Sequence, residues 1–94
     1  MEIHEILWLD EVVAKIEHKH RVSTDEVEQV VHGRPLVKRL ERGRVAGEDL
    51  YVALGRTDAG RCLSVFFICK EGNRALVIRA RDMDRKERRL YGRK

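Results

Sequence analysis

The sequence predicts an α+β fold: a small antiparallel β-sheet, made of an N-terminal strand and a four-strand meander, packed against two N-terminal helices and a short C-terminal helix. Two observations carry this. Apolar residues recur every three to four positions before Gly33 and every second position from Leu36 onward. Four short strand patterns then follow one another with turn residues between them, as in a meander. With 94 residues there is too little chain for a second core, so residues 1–94 read as one domain.

Ile3, Ile6, Leu7 and Trp8 form a first strand ending near Trp8. Asp10 is a plausible N-cap, with Leu9 as a hydrophobic staple, for a helix over residues 10–20 whose buried stripe is Val12, Val13 and Ile16. Ser23-Thr24-Asp25-Glu26 reads as a capping box. It opens a second helix through Val27, Val30 and Val31 that runs to His32 and stops at Gly33. Pro35 bars helix continuation, and residues 36–41 alternate as a half-exposed strand does. Residues 42–49 are the longest expected loop. Strands follow over 50–54, 62–69 and 75–81, joined by Thr57-Asp58-Ala59-Gly60 and by the tight turn Glu71-Gly72-Asn73. The run 62–69 is nearly all apolar, as in a strand covered on both faces. Asp82 is the expected cap of a last helix over 83–91, followed by a charged tail.

Composition narrows the function classes. Hydrophobic residues make up 43% of the chain against 38% charged, enough apolar material to exclude disorder. The longest apolar stretch, 63–69, is far short of the roughly 20 residues needed to cross a bilayer. An acidic N-terminus is unlike a secretory signal, so a cytoplasmic location is expected. Cys62 and Cys69, seven apart in one strand, should face opposite sides and stay reduced, sharing neither a disulfide nor a metal. The net charge of +4 is unevenly spread: residues 1–32 hold three basic and eight acidic residues, leaving 17 basic and eight acidic in the remainder. A basic body suits a polyanion; an acidic flank can counterbalance it or hold a basic partner.

Three constellations can carry chemistry. Lys19-His20 ends the first helix, and His20 continues the stripe of Leu9, Val13 and Ile16 toward the interior or a cleft, whereas His18 faces water. An imidazole exchanges protons near neutral pH and an adjacent lysine holds phosphate; the alternative is a packed histidine beside a solvated lysine. In the strand 75–81, Leu76, Ile78 and Ala80 should form one face and Val77, Arg79 and Arg81 the other. The two guanidinium groups then lie about 7 Å apart, a spacing for successive phosphates or a solvated strand face. In the last helix Met83, Glu87, Leu90 and Tyr91 share a face, which places a carboxylate on an apolar stripe as a general base or a structural partner of arginine. Arg85, Lys86, Arg88 and Arg89 surround that stripe and would gather nucleic acid through phosphates, or form a solvated face. No metal set, cofactor loop or nucleophile elbow is present in the sequence pattern, and five aromatics are too few for a base-stacking platform.

Taken together, these segments resemble the BrnT toxins, small ribonucleases of bacterial type II toxin-antitoxin systems. The resemblance rests on Trp8, on Lys19-His20 followed by Val22-Ser23 and Glu26, and on Ala53-Leu54-Gly55 with Gly60-Arg61 and Leu63. At the C-terminus Ala80-Arg81, Glu87-Arg88 and Tyr91 complete the pattern. Leu9 and Glu11 depart from the family's Trp-Asp-Pro, Arg21 stands where the family has glycine, and Arg79 replaces a small residue. A left-handed backbone at Arg21 would cost up to about 1 kcal/mol. The resemblance implies a fold related to the RelE ribonucleases and metal-independent RNA cleavage by 2′-hydroxyl attack, inhibiting translation and growth until an antitoxin, expected to be a small DNA-binding protein, neutralises it. It implies His20 or Glu87 as base or acid, Lys19 and Arg81 on phosphate charge, Tyr91 in positioning or proton donation, and Arg79 and Arg88 as further RNA contacts. A homodimer or toxin-antitoxin hetero-oligomer is the expected assembly. The competing reading is a noncatalytic basic module that binds nucleic acid or the antitoxin.

Overall fold

The change in apolar period near Gly33 marks where helices give way to strands. The computed structural model describes residues 1–45 and 47–93; Ala46, in the expected loop, and Lys94, in the expected tail, lie outside the described residues. The elements are β1 (Glu5–Leu7), α1 (Asp10–His20), α2 (Thr24–His32), β2 (Leu36–Glu41), β3 (Leu50–Arg56), β4 (Cys62–Lys70), β5 (Arg74–Asp82) and α3 (Arg85–Gly92).

Local chemistry sets most boundaries. The Ser23 hydroxyl accepts the Glu26 N–H at 3.1 Å while the Ser23 N–H donates to Glu26 Oε1 at 3.0 Å, the reciprocal box expected at the start of α2. The N-cap of α1 is Leu9 rather than Asp10, and no side chain caps it. Asp10 and Glu11 lie instead in the first turn, where the helix dipole favours them. The expected staple is lost, since Leu9 stands at the cap itself and is 42% exposed. Nor does Asp82 cap the last helix. It ends β5, and Asp84 is the N-cap, with Glu87 three residues later completing a second capping box. The helix therefore starts at Arg85, and Met83 is a buried residue of the connection.

The sheet runs β1-β5-β4-β3-β2. Strands β2 to β5 form the expected antiparallel meander, but β1 pairs parallel with β5, Glu5 to Leu7 against Arg74 to Leu76, so the sheet is mixed and not wholly antiparallel. Everything between β1 and β5 serves as the connection, long enough to return the chain in either sense. β5 departs from simple alternation. Its register shifts opposite Phe66 and Phe67, with Val77 facing Phe67 and Arg79 facing Phe66, so that Ile78 is an extra residue. The alternation breaks there. Ala75, Val77 and Ala80 all join the helix-side core, while Arg79 and Arg81 remain together on the opposite side without Val77.

The core divides across the sheet. On one side Ile16, Val22, Val27, Val30 and Val31 from the helical segment pack onto Ala53, Leu63, Val65, Phe67, Ala75, Val77 and Ala80. Gly55 permits the close approach of α2, since a Cβ there would lie 2.9 Å from Val30 Cγ1. On the other side Val52, Leu54 and Met83 meet Leu36, Cys62, Phe66, Leu90 and Tyr91. Eight-residue α3 covers only one end of this face, so Ile68 and Leu76 are half-buried and the run 62–69 is not enclosed on both sides as expected. Cys62 and Cys69 pack on opposite sides as free thiols.

Candidate active site

Two features of the sequence converge at the C-terminal end of β5. The first is the buried hydroxyl of Ser64, the one polar side chain in the apolar run of β4; it lies opposite Arg81 in the register and is fully buried. A buried hydroxyl needs a partner, and it donates to Glu87 Oε1 at 2.9 Å. Arg81 adds a two-pronged contact, Nη1 to Oε1 at 2.7 Å and Nη2 to Oε2 at 3.0 Å, and the Asp84 N–H donates to Oε1 at 2.9 Å. Burial alone would push the Glu87 carboxyl up, but Arg81, the Asp84 N–H and Ser64 together hold it below its ordinary value. A carboxylate committed in this way is a weak base and a strong anchor. Arg81, kept protonated chiefly by its bonds to Glu87, lies with its guanidinium carbon 5.1 Å from the Phe66 ring centroid, and that of Arg79 is 5.8 Å from the same ring. The ring thus packs with both guanidinium groups on the more open sheet face.

The second feature is Arg61, placed by the turn between β3 and β4. Its Nη2 donates to the His20 carbonyl at 2.9 Å and its Nη1 to the Arg21 carbonyl at 2.7 Å. It also bonds both Glu26 oxygens, and it donates from Nε to Asp82 Oδ1 at 2.8 Å and from Nη2 to Oδ2 at 3.2 Å. One guanidinium therefore fastens the end of α1 and the start of α2 to the end of β5. Asp82 is lowered from its ordinary carboxylate value, first by Arg61 and with smaller contributions from Arg88 and His20. His20, from the helix-covered side, and Arg88, from α3 on the other, thus act electrostatically on the same carboxylate.

Lys19 and His20 line a groove of about 280 Å³ with Lys15, Ile16, Ile78 and Arg79. His20 is half-buried and His18 exposed, the orientation that the helical stripe predicts. Arg21 adopts the left-handed conformation, φ 53° and ψ 40°, to close α1. Tyr91 is half-buried against the smaller core cluster, beside Val52, Leu54 and Met83. The structure therefore brings together Arg81 and Glu87 directly, and gathers Lys19, His20 and Arg79 around a groove along β5 that adjoins them, since Arg79 and Arg81 pack on the same Phe66 ring. Ser64, Arg61, Asp82 and Asp84 join the site without being expected there. The signal for Ser64 was a lone hydroxyl in an apolar run; for Asp84 it was the spacing Asp-x-x-Glu. Arg61 stands out only as part of the Gly60-Arg61 pair in the resemblance, because its guanidinium partners are 21 to 41 positions away.

Among the described residues no group of three or more His, Cys, Asp or Glu is arranged to hold a metal, and no helix is long and apolar enough to cross a membrane. Residues 8–87 match the family model described as ribonuclease toxin, BrnT, of type II toxin-antitoxin system. No curated protein matches the chain.

Proposed function

The chain belongs to the BrnT family of ribonuclease toxins of type II toxin-antitoxin systems, and from this premise we propose that it cuts RNA without a metal, by attack of a ribose 2′-hydroxyl on the adjacent phosphorus. The 2′-oxygen forms the new bond to phosphorus and the bond to the 5′-oxygen breaks. One proton leaves the 2′-hydroxyl and one reaches the departing oxygen, giving a 2′,3′-cyclic phosphate and a 5′-hydroxyl end. Three tasks follow: a base, a cationic cradle for the charged pentavalent phosphorus, and an acid.

The observation that carries this reading is the Arg81–Glu87–Ser64 cluster beside the Arg61–Asp82 tie to His20. In our assignment His20 takes the 2′-hydroxyl proton and, where Tyr91 only positions the substrate, returns one to the 5′-oxygen, an imidazole being suited to both directions near neutral pH. Lys19 and Arg81 stabilise the phosphorane charge. Glu87 orients Arg81 and keeps it charged, because its own oxygens are occupied. Tyr91 positions the substrate or donates the second proton, and Arg79 and Arg88 hold flanking phosphates. The reading extends to one domain over residues 1–94 with a fold related to the RelE ribonucleases. It places the toxin in the cytoplasm, where RNA loss arrests translation. The antitoxin, a small DNA-binding protein with a flexible segment, neutralises it by covering the basic cleft, and release follows mass action when the antitoxin is lost.

Incubation with RNA in EDTA, with mapping of the product ends, tests the assignment. Cyclic phosphate ends from the native chain, their loss in His20→Ala and partial loss in Glu87→Gln are expected. Full activity in both variants would overturn the site. Salt-sensitive RNA binding with no cleavage, in the presence and absence of ribosomes, would instead establish a noncatalytic module.

A further inference from the structure

Beside the Arg81–Glu87 pair a second groove of about 460 Å³ opens between α3 and β2, lined by Lys38, Lys86, Glu87, Arg89, Leu90 and Arg93. Lys86, Arg89 and Arg93 recur at i, i+3 and i+7 and so lie along one side of α3. Lys38 reaches the groove from the sheet: it pairs with Val52, and Leu36 with Leu54, in the face that α3 covers. None of these four cations forms an ion pair among the described residues. The carboxylate that lines the groove, Glu87, is already taken by Arg81, Ser64 and the Asp84 N–H. Four like charges thus converge on one groove with no counter-charge of their own, an arrangement that repels itself until an anion enters.

We propose that this groove is a phosphate track, which holds the RNA strand for about three phosphates beyond the bond that is cut. This rests on the ribonuclease reading and deepens it, since it makes the substrate an extended single strand and not a single phosphodiester. An RNA backbone fits better than a protein segment. Protein docking is anchored by buried aromatic or aliphatic side chains, and Leu90 is the one apolar residue lining the groove, whereas a phosphodiester chain needs only cations. Continuity favours it too, because Glu87 lines the groove and holds Arg81.

The test is the triple variant Lys38→Ala, Arg89→Ala, Arg93→Ala, at three exposed positions that leave the core intact. Two RNAs are compared, a 20-nucleotide strand and a tetranucleotide with the same scissile bond. On the long strand KM should rise about tenfold or more at roughly 0.1 M salt, with kcat within about twofold; the tetranucleotide should show no change. In fluorescence anisotropy on the long strand, with His20→Ala added to both proteins to prevent cleavage, the slope of log K against log salt should become shallower by about two. Unchanged KM and slope would overturn the track. Unchanged RNA binding with lost affinity for a polyglutamate peptide would overturn it in favour of an acidic protein segment. A shallower slope in a chain whose native form cuts no RNA would leave the track standing and remove the ribonuclease reading.

Discussion

Replacing Arg61 with methionine keeps the apolar stem of the side chain and removes the guanidinium that ties α1 and α2 to β5. The guanidinium serves two carboxylates and two carbonyls, with donor–acceptor distances from 2.7 to 3.3 Å. The Asp82 side chain is 58% exposed and that of Glu26 27%, so solvent discounts each ion pair to about 0.5–1 kcal/mol. The two carbonyl bonds contribute about 0.5 kcal/mol each after water replaces them in the variant. The expected loss is about 2 kcal/mol, which in urea lowers the midpoint by about 2 M for a chain of this size. Arg61→Lys, a single point charge without the fork, should recover less than half of it. Because the same bonds fix the backbone at His20, cleavage by either variant should fall in kcat more than in KM. A midpoint shift below about 0.5 M would refute the reasoning, showing that water satisfies the two carbonyls as well as Arg61 does.

Arg21→Gly should raise stability by about 1 kcal/mol, roughly 4–8 °C in a thermal melt, because the left-handed backbone at Arg21 strains any side chain but costs glycine little. Gly55→Ala should lower stability by about 1–3 kcal/mol in urea, since the new methyl meets Val30 Cγ1. Glu87 and Asp82 are held below their ordinary values of 4.5 and 3.8. The stability they contribute is complete above about pH 5.5 and is lost as the pH falls through those values toward the depressed folded-state ones. Urea midpoints between pH 6 and 3.5 should therefore fall more steeply for the native chain than for Glu87→Gln; parallel curves would show that Glu87 is not held low.

Short-range signals were legible in the sequence. The Ser23–Glu26 box, the stripe ending on His20 and the turn at Gly72-Asn73, whose residues both adopt positive φ, are set by chemistry within a few positions. The differences have two sources, a short-range cue that residue identity alone does not separate and a partner distant in the sequence. Asp82 and Asp84 are equally good caps by identity, and only Glu87 three residues past Asp84 separates them. An extra residue at Ile78 leaves no mark in a run of alternating residues, because the bulge is defined by the strand opposite. The parallel pairing of β1 depends on where β5 returns. At the site, Arg81 and Glu87 are legible as candidate residues and, in one of two readings, as an ion pair; that Ser64 and a helix cap occupy the same carboxylate is not.

Glu87 belongs at once to the capping box that starts α3 and to the clamp that aims Arg81. Winding of the helix and arming of the guanidinium are therefore a single event. α3 follows every strand of the sheet in the chain, so the carboxylate that holds Arg81 comes from an element outside the sheet. Any change that frays the first turn of α3 therefore also frees Arg81, although the strand that carries it is untouched.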